Sequence, residues 1–83
     1  MKTLYKFGAS WCSPCQAMDP LLAEIDQLNV VKVDIEQEPE KAQAFGVRSV
    51  PTLIIVDENE NPLAVRAGGI NRHQLQQLIR SVS

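Results

Sequence analysis

Two short strand-forming runs, TLYKF (Thr3–Phe7) and VVKVDI (Val30–Ile35), flank one apolar stripe of helical spacing, and this arrangement limits the fold more than any other feature. Met18, Leu21, Leu22, Ile25 and Leu28 recur at i, i+3, i+4, i+7 and i+10, which puts them on one face of a helix. Strand, helix and strand within residues 3–35 describe a right-handed βαβ unit with two parallel strands. Gly8 ends the first strand. Ser13 and Pro14 open the helix, because proline in the first turn gives up an N–H that has no partner there. Pro20 lies inside the helix, removes the bond to the Gln16 carbonyl and predicts a kink without termination.

Downstream, Pro39 and Gly46 bracket a short helix, PEKAQAF. A buried strand, TLIIV (Thr52–Val56), is followed by the turn-forming DENEN and by PLAVRA, its antiparallel partner in a hairpin. Asn71 with Gln74 three residues on reads as a capping box, and Leu75, Leu78, Ile79 and Val82 form the apolar face of the last helix. The order βαβαββα predicts an α/β fold, with a four-stranded mixed sheet flanked by helices. At 83 residues the chain is expected to be one domain, 1–83, hiding only roughly 60 to 65% of its unfolded surface. That leaves room for the fold and one site.

Composition narrows the function classes. A net charge of −2 with 22% charged residues carries neither a basic nucleic-acid footprint nor a long acidic tail. The most apolar run, VPTLIIV, is far short of the roughly 20 residues of a membrane span. The N-terminal MKTLYKFGAS has no apolar core of the ~7 to 15 residues found in signal peptides, so the cytoplasm is the expected location. A monomer is expected, with no nucleic-acid or membrane partner.

Cys12 and Cys15 are the two cysteines, spaced C-x-x-C after a strand and at a helix start, the arrangement of a redox pair. Unpaired N–H groups and the macrodipole at the helix start favour the Cys12 thiolate; Cys15, one turn in, is expected to be more shielded. The exposed Cys12 would attack a target disulfide, and Cys15 would attack Cys12 in turn and release the reduced target. Two other readings stand beside this one. A structural disulfide over so small a loop adds little entropic stability and would be reduced in the cytoplasm. A zinc site needs four ligands, which only two chains together would supply, because the single histidine, His73, lies far along the chain. No metal site and no cofactor are expected within one chain.

Trp11-Cys12-x-Pro14-Cys15, Pro20, Lys32, FGVRSVPT (Phe45–Thr52) and Gly68-Gly69 together resemble the thioredoxin family over nearly the whole length. The chain is similar to a minimal thioredoxin without the usual N-terminal strand and helix. The resemblance implies a protein disulfide reductase acting on disulfide-containing proteins, recharged by a thioredoxin reductase or by glutathione. It also implies a cis bond before Pro51, which offers no N–H near the thiolate and leaves the Val50 backbone free to pair with an extended target. On its own residues, Pro51 reads first as an ordinary strand-entry proline, and the resemblance reverses that preference.

Trp11, Pro14, Val50, Pro51, Gly68 and Gly69 are the implied substrate-binding surface, the two glycines letting a partner backbone come close. A plain loop is the alternative for Gly68-Gly69. A glutaredoxin-like, glutathione-dependent protein is the nearest other function, although Ile70, Asn71 and Arg72 follow the double glycine where that family usually has an acid.

One position departs from the family pattern. Lys6 stands where thioredoxins typically bury an aspartate that assists proton transfer at the second cysteine, and Lys32 is left without that partner. An inward Lys6 would favour a thiolate, and an outward one would be a surface charge. Two lysines do not share a dry pocket, so one is expected to reach solvent, or Asp34 or Glu36 to compensate.

Overall fold

In the computed structural model, residues 1–82 are described; Ser83, the last residue of the expected domain, lies outside the described residues. The elements are β1 (Thr3–Gly8), α1 (Ser13–Ala17), α2 (Asp19–Leu22), β2 (Asn29–Asp34), α3 (Pro39–Ala44), β3 (Thr52–Val56), β4 (Pro62–Ala67) and α4 (Arg72–Arg80). They form one four-stranded sheet in the order β2-β1-β3-β4. β1 pairs parallel with β2 and antiparallel with β3, and β3 pairs antiparallel with β4. The sheet is mixed, as the sequence predicts.

Alternation along the central strands splits the core into two layers. Leu4, Leu53 and Ile55 face Met18 at the junction of α1 and α2, Leu22 of α2, and Leu75 and Ile79 of α4. Tyr5, Phe7, Ile54 and Val56 face Ala42 and Phe45 at α3. All five residues of β3 are buried, which is why the strand is continuously apolar from Leu53 to Val56 where a one-sided strand would alternate. Lys6 and Gly8 lie in phase with Leu4, so the period of two turns them toward the face that carries α1 and α2.

The first helix differs from its expectation. It divides at Met18 into α1 and α2, with Pro20 in the first turn of the second piece, and it ends at Leu22. Met18 keeps right-handed dihedrals (φ −81°, ψ −16°), so the chain continues in nearly the same direction. The missing Pro20 N–H accounts for the break. Ile25 and Leu28 leave the helix yet still pack against the core, so their spacing reports burial correctly while overstating helix length. At the other end, Asn71 Oδ1 accepts from Gln74 N at 2.8 Å and Gln74 Oε1 accepts from Asn71 N at 3.0 Å, the capping box that starts α4.

Candidate active site

Cys12 is the N-cap of α1, and Cys15 lies in its first turn. Their sulfurs are joined in a disulfide, with the Cα atoms 5.3 Å apart. The approach is a local consequence of sequence. Cys12 N donates to Ala9 O at 3.1 Å, closing the turn after β1, and Pro14 fits the first helical turn. Gln16 Nε2 donates to Ser10 O at 2.7 Å and ties the loop to the helix.

Cys15 N donates to Cys12 Sγ at 3.2 Å. Cys15 is the more enclosed of the two, as expected, but Cys12 is not exposed: the residues are 1% and 4% accessible. Ala9, Ile35 and Val50 pack around the pair and cover both.

The surrounding residues singled out in the sequence converge on this end of the sheet. Trp11 is exposed beside Cys12, and Pro14 is exposed on α1. Val50 is half-buried against the cysteine pair; its bond to the buried Pro51 is cis. Among the described residues, the Val50 N–H and C=O have no hydrogen-bond partner.

Gly68 N donates to Pro51 O at 2.8 Å, and a side chain added there would meet nothing within 4 Å. Gly68 requires glycine for another reason, its φ of +90°. Gly69 approaches Pro14, with 4.0 Å from an ideal Cβ to the proline Cβ, which is ordinary contact.

Behind Cys15 lies an open cavity of about 220 Å³ lined by Lys6, Gly8, Asp19, Lys32 and Asp34. Lys6 points inward and is buried. Its Nζ donates to Cys15 O at 3.0 Å and to Asp19 Oδ1 at 2.6 Å. Lys32 Nζ is 3.5 Å from the same carboxylate oxygen, with its side chain 58% exposed. One lysine thus reaches solvent, as expected.

The compensating acid is neither Asp34 nor Glu36 but Asp19. The hydrogen bond from Lys6 holds its carboxyl below the usual carboxylate value, against a smaller opposing effect of burial. Asp34 Oδ1 is engaged by the Glu36 N–H at 2.8 Å.

Two residues of this site were missed in the sequence. Asp19 is four residues after Cys15, the spacing that stacks side chains on one helical face, and that spacing was the available signal. Gly8 reads as a strand terminator, yet an ideal Cβ on it would stand 3.1 Å from Cys15 Cβ and 3.2 Å from its Sγ. No local pattern announces that contact.

Comparison with known proteins agrees with this geometry. The thioredoxin family model matches residues 1–81. Thioredoxin of Bacillus subtilis is 36% identical over 81 residues, covering 92% of this chain and 77% of that one. Thioredoxin of Buchnera aphidicola from Acyrthosiphon pisum is 33% identical, covering 92% and 74%. A mutant thioredoxin from Halobacterium salinarum superposes with a TM-score of 0.88 at 36% identity, covering 98% of this chain and 74% of that chain. With a four-stranded sheet, a C-x-x-C disulfide at a helix start and relatives over nearly all its length, the chain belongs to the thioredoxin family of thiol–disulfide oxidoreductases.

Proposed function

We propose that Cys12 is the attacking sulfur of a protein disulfide reductase and Cys15 the resolving one. The observation that carries this order is the hydrogen bond from Cys15 N to Cys12 Sγ, since a backbone donor aimed at a sulfur favours its thiolate. Cys12 thiolate attacks a target disulfide, forming a mixed disulfide and releasing the first target sulfur as a thiolate. Cys15 then attacks Cys12: the Cys12–Cys15 bond forms, the bond to the target breaks, and two electrons have passed to the target. An external dithiol or thiol donor reverses the disulfide for the next cycle.

Trp11, Pro14, Val50, Pro51, Gly68 and Gly69 form the docking surface for an extended target segment. The unpaired backbone of Val50 and the open space over Gly68 support this. A thioredoxin reductase is the electron donor favoured over glutathione, because the relatives that span most of the chain are thioredoxins. Residues 1–83 act as one monomeric domain; the single sheet covered on both faces supports the domain reading. The cytoplasm suits a protein whose dithiol must be kept reduced. Among the described residues no helix is long and apolar enough to cross a membrane.

Reduction of insulin disulfides, with a thioredoxin reductase or glutathione as donor, tests the assignment. Cys12→Ser abolishes turnover, and Cys15→Ser stalls at the mixed disulfide. Full activity in either variant overturns the dithiol mechanism.

A further inference from the structure

The carboxylate beside Cys15 comes from an unexpected element. A buried lysine on β1 reaches the backbone of the second cysteine, and its counter-ion comes from α2. Lys6 Nζ donates at once to Cys15 O and to Asp19 Oδ1, the second contact being an ion pair between ammonium and carboxylate. The lysine cannot then accept a proton from Cys15. Asp19 is a poor acceptor as well, since the same hydrogen bond keeps it ionised below the usual carboxylate range. What the pair provides is a fixed charge. An ideal Cβ on Gly8 would lie 3.2 Å from Cys15 Sγ and 3.6 Å from Lys6 Cε, so sulfur and lysine stem meet at one point of the backbone.

We propose that Asp19 is a positioning residue of the thiol–disulfide cycle: it holds the Lys6 ammonium against the Cys15 backbone, where that charge favours the Cys15 thiolate. The charged groups facing this space are Lys6 from β1, Asp19 from α2, and Lys32 and Asp34 from β2. Lys6 dominates because its side chain is only 7% exposed, whereas Lys32 is largely in solvent and screened. Freed of Asp19, the flexible lysine stem can carry its ammonium out through the open cavity to water.

The proton of Cys15 passes to solvent, and the departing target sulfur takes one up when it leaves with the electron pair of the broken bond. The proposal rests on Cys15 being the resolving sulfur.

The test is the pH dependence of Cys15 thiolate absorbance in the Cys12→Ser protein. Lys6→Met lowers the thiolate fraction at neutral pH by about three- to tenfold, the effect of one nearby charge in a partly screened site. Asp19→Asn lowers it in the same direction, Asp19→Glu restores it, and Asp19→Asn produces no further loss on top of Lys6→Met.

An unchanged or larger thiolate fraction in Asp19→Asn overturns the proposal, because a carboxylate acting directly on the sulfur would give that sign. An unchanged fraction in Lys6→Met overturns it too. If Lys6→Met fails to fold, the Asp19 variants, whose side chain is 37% exposed, decide alone. Ionisation is read without turnover, so failure here is distinct from failure of the resolving role, which full activity in Cys15→Ser would reveal.

Discussion

Gly8 and Cys15 approach so closely across the end of β1 that a side chain at Gly8 would crowd the cysteine: an ideal Cβ would stand 3.1 Å from Cys15 Cβ and 3.2 Å from its Sγ. Gly8→Ala therefore forces the cysteine or the strand to move by a few tenths of an ångström. Overpacking of this kind costs about 1 to 3 kcal/mol. A lower urea midpoint together with slower insulin reduction is expected, because the displaced atom is the reacting sulfur. Unchanged values for both would mean that the contact yields freely.

The Lys6–Asp19 pair makes stability depend on acid pH. The Asp19 carboxyl titrates lower in the folded chain than in the unfolded one, chiefly through its hydrogen bond from Lys6. Its contribution is then complete above the ordinary aspartate value, about pH 4, and is lost as pH falls through the lower folded value. Asp19→Asn is expected to be less stable at neutral pH by about 1 kcal/mol, a charged hydrogen bond discounted for solvent exposure. Denaturant titrations from neutral pH down into the acid range check the sign: the gap between wild type and variant must close toward low pH.

Leu53 lies in the central strand β3, fully buried between β1 and β4 and facing the layer of α1, α2 and α4. Leu53→Ala leaves a cavity there and costs about 2 to 5 kcal/mol. Against a total of about 5 to 15 kcal/mol for a small domain, that brings the chain near its unfolding threshold. Thermal unfolding followed by circular dichroism should show a large drop in midpoint. A drop no larger than that of a surface substitution would contradict the packing.

Asn71 caps α4 through a reciprocal pair of hydrogen bonds with Gln74. Asn71→Ala removes the side-chain acceptor and is expected to cost about 1 kcal/mol. Asn71→Ser should recover most of it. Turnover should be retained in both variants, since the Cys12–Cys15 pair is held by α1 and its preceding turn.

The strands, the hairpin, the helix after Pro39 and the capped last helix were legible because each depends on neighbours within a turn or on alternation. Binary pattern and capping chemistry report those directly. The cysteine pair was legible for the same reason: three residues of spacing at a helix start dictate the approach of the sulfurs. The first helix was misread in extent because spacing records which residues are buried. Ile25 and Leu28 pack on the core from a connecting segment just as helical residues would.

The sequence by itself determined the order of strands and the redox pair, and left open whether Lys6 on β1 points inward or to solvent. Only the tertiary structure decided what Lys6 meets there. Its acid arrives from α2, thirteen residues away, and the backbone that approaches Cys15 is that of Gly8. Both contacts join different elements, so they depend on how far the helix is turned and displaced over the sheet. That placement is set by the packing of the whole core, and no local pattern encodes it.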